Sequence, residues 1–300
     1  MNGVCWYYDA AALVLLVLFI IQGVKKGFSK TVIHFALNLV FVVLAFLMSG
    51  IMTDMVYDGY FRSTVSESVE SSLENFDVNS ELKKVYSELT LIGEVSDTKI
   101  SAVLSSEKNM DEKFQKLIVS TSGIGSQIDE SKIFEGLNSI VKFRLHEKLS
   151  EKIPSCAGKY FSSLDESNKE ETYKILNLLA SDKKEAADYI MENYIDSTLY
   201  GFVQIMMFLI SAFVLMIFTA ILLAVMFREK DMTSNGRGDS AGGAVLSVIN
   251  WGIAMLMLAF VIKVIIYSGV QIEGFLDDNT LNNTIAFRYL YNADALFIKK

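Results

Sequence analysis

Residues 4–52 run VCWYYDAAALVLLVLFIIQGVKKGFSKTVIHFALNLVFVVLAFLMSGIM, two apolar stretches, 4–24 and 31–52, parted by the basic KKGFSK. Asp9 and His34 are the only acidic or basic side chains within them. Each stretch reaches the roughly 20 residues that a helix needs to cross the hydrocarbon core of a bilayer. A secretory signal carries its positive charge before the apolar core and a small-residue cleavage site after it. Here the order is reversed, with Lys25, Lys26 and Lys30 following the first stretch, so the segment reads as a retained anchor.

Two further stretches of this kind occur at 199–227 and 241–262, and they explain why a chain of 300 residues is 52% hydrophobic with a mean hydropathy of +0.35. Short loops rich in Lys and Arg stay in the cytoplasm. Lys25, Lys26 and Lys30 in one loop, and Arg228, Lys230 and Arg237 in another, then face the same side if all four stretches cross. That topology puts both termini and the long segment between the second and third stretches outside. Orientation accounts for the first lysine cluster; binding of anionic lipid is the other use such a cluster has. Trp6, Tyr7 and Tyr8, and further on Tyr57 and Tyr60, are expected as aromatic belts, and Lys263 is expected to snorkel to the outer interface.

The net charge of −8 is concentrated between Asp54 and Asp196, where acidic residues outnumber basic ones by ten. Nucleic acid, which demands a basic surface, is therefore not an expected partner. This middle segment, 58–198, is charged, Ser-rich and aliphatic, and reads as mostly helical. The spacing predicts helices over 65–73, 80–91 and 181–191. A capping box at Ser167 and Glu170 opens a further helix. The long amphipathic helix 133–153 buries Phe134, Leu137, Ile140, Val141, Leu145, Leu149 and Ile153. Gly123 and Gly125 mark a break at 121–127. The segment is either a sensing or docking domain or a spacer that associates with itself.

The residues that recur at telling positions are Asp9, followed eighteen residues later by Gly27-Phe28, and Asp239, followed by Gly243 and Ser247 at four-residue steps; Tyr289-Leu290-Tyr291-Asn292 stands near the end. In these features the chain resembles the colicin V production protein (CvpA) family of bacterial inner-membrane proteins. The resemblance implies a four-helix membrane module connected with bacteriocin production or export and with envelope integrity. It covers about half of the chain and leaves out the middle segment, which exceeds a hundred residues here and is short in typical members. Independently of the family, Gly23 and Gly27, and Gly243 and Ser247, lie one turn apart, the small-xxx-small pattern that lets membrane helices approach closely. Helix contact is the first use of these four, a ligand role the second. Asp9 suits a helix N-terminus, as a cap or dipole partner, with ion binding as the alternative.

Polar side chains within the spans are His34 and Asn38, one turn apart, with Gln204 and Asn250. Interhelical hydrogen bonding explains them, and a functional role is the alternative. Gly238-Asp239-Ser240-Ala241-Gly242-Gly243 has the look of a serine-protease signature, but Ala241 interrupts its spacing. No catalytic set, metal motif or cofactor fingerprint is apparent. Cys5 and Cys156 both fall outside in this topology and allow at most one bridge.

The expected architecture is thus an all-α membrane protein of the bacterial cytoplasmic membrane. Its four transmembrane helices fall in 1–57 and 199–268, a helical extracytoplasmic domain occupies 58–198, and an outer tail occupies 269–300. Besides the lipid bilayer, an envelope protein or a second copy is the expected partner. No enzymatic chemistry is expected. A membrane-bound sensor signalling to a cytoplasmic protein is the alternative, and a solute transporter is disfavoured by the lack of intramembrane carboxylate pairs and paired broken helices.

Overall fold

The computed structural model describes residues 6–89, 95–106, 108–122, 129–153, 161, 164, 168–226, 237–268, 272 and 275–293. The expectations on Cys5 and Cys156, on Gly123 and Gly125, on Ser167 and on Arg228 and Lys230 fall outside these residues. The described chain is overwhelmingly helical and contains no strand, only an isolated bridge between Ile272 and Leu276.

In chain order the helices are α1 (Trp6–Val56), α2 (Arg62–Glu74), α3 (Val78–Leu89), α4 (Asp97–Leu104), α5 (Met110–Ser122), α6 (Glu130–Ser139) and α7 (His146–Ser150). They continue as α8 (Lys169–Ser181), α9 (Lys183–Ile190), α10 (Asp196–Met226), α11 (Arg237–Tyr267), α12 (Asp278–Asn282) and α13 (Phe287–Tyr291). Three π-helical turns, Tyr57–Phe61, Ile140–Leu145 and Met191–Ile195, lie between them. The chain divides into two compact units, one of Met1–Tyr57 with Tyr200–Lys300, the other of Asp58–Leu199.

The first unit is inside out by the standards of a soluble domain. Leu13, Val17, Leu47, Ile51, Phe213 and Val225 each leave between 46% and 69% of their surface exposed. Contiguous apolar surface on this scale belongs in lipid. Three helical segments, Trp6–Glu74, Lys183–Val225 and Asp239–Tyr267, contain a run long and apolar enough to cross a membrane. The first is broken at Gly27, whose φ of 74° and ψ of 172° lie outside the helical region. The residues before and after that break both pack on α11, in opposite directions. Going forward along α1 from the break, Phe28 meets Asp239 and Asn38 meets Asn250; going backward from it, Gly23 meets Gly243 and Ser247, and Ala12 meets Trp251. The chain therefore reverses at Gly27, and α1 is a hairpin of helices 6–26 and 28–56.

The sequence reading left a six-residue loop between these helices; the structure needs one residue. Gly27 occupies a region of backbone space that is essentially reserved for glycine. With 21 residues before the break and 29 after it, at about 1.5 Å per residue the two arms measure roughly 31 and 43 Å. Ala45 packs with Ile205, Phe208 and Ala212 of α10 and Phe260 of α11, so the second arm joins these two helices in one apolar cluster.

The tail is part of this unit. Leu281 of α12 and Phe287 and Tyr291 of α13 are buried with Ala12, Met255, Ala259, Ile262 and Ile266. This placement corrects two expectations. Lys263 does not snorkel: it is 3% exposed, donates to the Tyr291 carbonyl at 3.0 Å, and sits over the rings of Tyr291 and Tyr267. A lysine buried at this depth needs such a carbonyl and π-faces to replace water. Nor does Tyr57 stand in a belt, since it is buried edge-on against Tyr200.

The second unit has an ordinary closed core, with Leu73, Leu82, Ile100, Leu104, Phe114 and Ile140 fully buried. Among its described residues the only exposed large hydrophobics are Tyr60, Val119 and Phe143. The amphipathic stretch 133–153 does bury all seven expected side chains, but not as one regular helix. From Leu137 through Val141, Leu145, Leu149 and Ile153 the apolar spacing is four, which drifts off the face of a 3.6-residue helix. The π turn Ile140–Leu145 holds more residues per turn and keeps the stripe in phase. Asp182 caps α9, accepting from the backbone N–H groups of Lys184 and Glu185. Helix α8 starts at Lys169 with Asn168 at its cap position. Helices α4 and α5, which bury Ile100, Leu104, Met110, Phe114 and Ile118, were not among the helices expected from the sequence.

Candidate functional site

The glycine seam is built from backbone. A Cβ placed on Gly243 would stand 2.3 Å from the Gly23 carbonyl oxygen and 2.9 Å from the Gly27 carbonyl carbon. One on Gly23 would meet the Gly243 carbonyl oxygen at 2.4 Å and the Ser247 hydroxyl at 2.2 Å. Gly23, Gly27, Gly243 and Ser247, expected to serve helix contact, thus form one continuous seam in which the hairpin turn touches the first turns of α11. The segment 237–243 is the opening of that helix and not a loop, so its protease-like letters are helical.

Asp9 and Asp239 do the same work at opposite ends. Asp239 accepts from the Phe28 backbone N–H at 2.8 Å and so caps the second arm of the hairpin. Asp9 accepts from the backbone N–H groups of Ile285, Ala286 and Phe287 at 2.7 to 3.0 Å, which ties the tail to the start of α1. Each also lies in the first turn of its own helix, where a carboxylate opposes the positive end of the helix dipole. Of the cap and dipole roles expected for Asp9, the place in the first turn of α1 suits the dipole, while its hydrogen bonds go to a segment some 276 residues away. Phe28 has a second role, since its ring fills the space that a Cβ on Gly242 would enter, 2.5 Å away. Tyr8 reinforces the tail, donating to the Phe275 carbonyl at 2.7 Å and stacking on Phe287.

The intramembrane polar residues separate into two places. Asn38 donates to Asn250 at 3.2 Å. His34 lines a cavity of about 100 Å³ with both amides and with Gln22, Lys26 and Thr31. A second cavity of about 310 Å³ is lined by Asn38, Asn250, Phe41, Ala212, Met216 and Met257. Phe19, Asn38 and Asn250 belong to both, so the two spaces adjoin. Gln204 lines neither; its amide nitrogen lies beside Gly50.

Gln22 and Lys26 escaped the sequence reading as members of this group. The signal for them was present, because Gln22 and Lys26 are one turn apart and continue the Gly23 side of the helix toward the basic turn. The polar cavity is lined by amides, hydroxyls, an imidazole and an ammonium, with no carboxylate among them. Such a set donates hydrogen bonds and attracts an anion.

In the second unit a polar concavity of about 410 Å³ has Lys108, Asn109, Asp111, Glu112, Lys169 and Tyr173 on its walls. Lys169 reaches Asp111 at 3.4 Å. The Tyr173 hydroxyl is buried there without a hydrogen-bond partner, and burial, with the Asp111 carboxylate adding to it, pushes its pKa well above the usual phenol range. Among the described residues no group of three or more His, Cys, Asp or Glu side chains is arranged to hold a metal ion.

Comparison with protein-family models, with curated proteins and with solved structures finds no match to this chain.

Proposed function

We propose that the chain is a four-span protein of the bacterial cytoplasmic membrane, with both termini outside, that serves as a non-enzymatic scaffold. In this reading it supports toxin production or export and envelope maintenance, as its resemblance to the colicin V production family implies. Four crossings are supported by the reversal at Gly27 and by arms and helices that each match or exceed the bilayer core of about 30 Å. The basic turn at Lys25, Lys26 and Lys30 then lies in the cytoplasm and Asp58–Leu199 outside.

The observation that carries the scaffold reading is the contrast between the units. One exposes apolar side chains and spends two carboxylates, Asp9 and Asp239, and its seam glycines on holding its own helices and tail together. The other closes its core and presents a charged surface for an envelope partner or a second copy. The test is complementation of a deletion strain by the full chain and by a chain in which 65–195 is replaced by a short linker, with membrane levels of both matched. Envelope permeability and peptide-toxin export are the readouts. Rescue by the full chain alone assigns the partner contact to the outer domain; failure of the full chain to restore either readout overturns the proposal.

One observation favours a second reading as a sensor, the concavity around Tyr173. A buried hydroxyl that lacks a partner is a group to which a ligand can add a hydrogen bond. If sensing is the function, Tyr173→Phe removes the response in cells while the outer domain stays folded; a scaffold is indifferent to that change.

A further inference from the structure

The two adjoining cavities of the first unit share one gradient, and it repeats on three helical segments. Along 28–56 the lining passes from Thr31 and His34 to Asn38 and then to Phe41 and Val42. Along α11 it passes from Ser247 to Asn250 and on to Ile253 and Met257. Along 6–26, read toward the N-terminus, it passes from Lys26 to Gln22 to Phe19. The eleven steps from Thr31 to Val42 rise about 16 Å at 1.5 Å each. The space is therefore polar and cationic near the hairpin turn, crosses an amide pair midway and becomes apolar toward the middle of the helices. Its wider part, about 310 Å³, matches the lower bound of about 300 Å³ for small-molecule pockets.

A solute that is polar throughout would leave the apolar half unfilled, and one that is apolar throughout would make no use of the Lys26 ammonium and the Gln22 amide at the other end. An amphiphile satisfies both halves. The polar end carries a positive charge and no carboxylate, so its complement is an anion. Asn38 and Asn250, which line both cavities, spend one donor and one acceptor on each other, and each amide has further hydrogen-bonding capacity.

We infer that this composite cavity is a binding site for one anionic phospholipid, its phosphate beside Lys26, Gln22 and His34 and one acyl chain between Phe41, Met216 and Met257. The inference rests on the bilayer placement proposed above and is independent of any role in toxin export. Recovery of the full chain in the membrane fraction, solubilised only by detergent, tests that placement separately.

The site itself is tested by native mass spectrometry of the detergent-purified full chain, titrated with phosphatidylglycerol and phosphatidylcholine of matched chain length. One lysine beside a headgroup of net negative charge is worth about 1 kcal/mol, and in phosphatidylcholine the choline cation cancels the phosphate, so phosphatidylglycerol is retained about fivefold better by the native chain. Lys26→Gln removes that preference, whereas Lys25→Gln and Lys30→Gln, at positions that do not line the cavity, keep it. Ala254→Phe, which fills the apolar end, lowers retention of both lipids. Equal retention of the two lipids by the native chain overturns the proposal. So does a preference that falls equally with each of the three lysines, which is diffuse attraction at the membrane surface, or a dimer that carries no lipid, in which a second copy covers the opening. Should Ala254→Phe fail to fold, the comparison of the three lysine variants still decides.

Discussion

At the scale of single residues the first unit depends on positions where nothing can be added. Gly27→Ala puts a side chain on a backbone with a φ of 74° and a ψ of 172°, which costs about 1–3 kcal/mol. Gly243→Ala drives a Cβ into the Gly23 carbonyl, and because the clash is with backbone the helices must separate. The expected outcome is a lower melting temperature in detergent for each variant, with Gly243→Leu worse than Gly243→Ala; an unchanged melt for Gly243→Leu contradicts the seam. Tyr173 presents the opposite case. Its hydroxyl is buried without a partner, so Tyr173→Phe is expected to stabilise the second unit by about 1 kcal/mol, measured by denaturant unfolding. A phenol whose pKa is raised by folding leaves stability independent of pH below its unfolded value near 10 and lowers it as pH rises from there toward the folded one. Loss of stability above about pH 10 should therefore be shallower in Tyr173→Phe than in the native chain.

At the scale of elements the tail is the part whose role follows most directly from contacts. It contains only two short helices, α12 and α13, each too short to persist alone. They are held by Asp9 from outside, by Asp277 capping α12 through the Thr280 backbone N–H, and by a hydrogen bond from the Tyr291 hydroxyl to Asp278. Asp9→Ala leaves three backbone N–H groups without an acceptor and uncovers Lys263, so limited proteolysis should release the tail from that variant and spare the native chain. Asp9→Asn keeps an oxygen acceptor without the charge and should fall between the two. The π turn Ile140–Leu145 makes a related point about helix geometry, since an apolar period of four was visible in the letters and its structural remedy was not.

At the scale of the whole molecule the two units obey different rules of burial, and each can be tested on its own terms. The second unit, expressed as 58–199, is expected to be soluble, monomeric and helical with one cooperative unfolding transition, because its core is closed and its apolar surface small. A molten or insoluble product contradicts that reading. For the membrane unit, single cysteines are introduced at Ser29 and at Ser106 in a chain whose Cys5 and Cys156 are replaced by Ser. The Ser106→Cys variant should react with an impermeant thiol reagent in intact cells, and the Ser29→Cys variant only after permeabilisation. The reverse pattern inverts the topology.

The sequence by itself determined that this is a helical chain with apolar runs long enough for a membrane, interrupted by a charged segment with its own amphipathic stripes. Those properties are carried by local composition and by period, which neighbours along the chain suffice to express. It also marked Asp9, Gly23, Gly27, Gly243 and Ser247, since small residues one turn apart and acids at helix starts leave a local signature. Only the tertiary structure decided what they touch. That Asp9 holds the tail, that Asp239 caps the far arm of the hairpin, that Lys263 is buried beneath Tyr291, and that His34, Asn38 and Asn250 share a cavity from which Gln204 is absent are all facts about residues far apart in sequence. A polar group in a membrane helix must find a partner, and the physical demand is legible in the letters; which partner meets it depends on how whole helices pack.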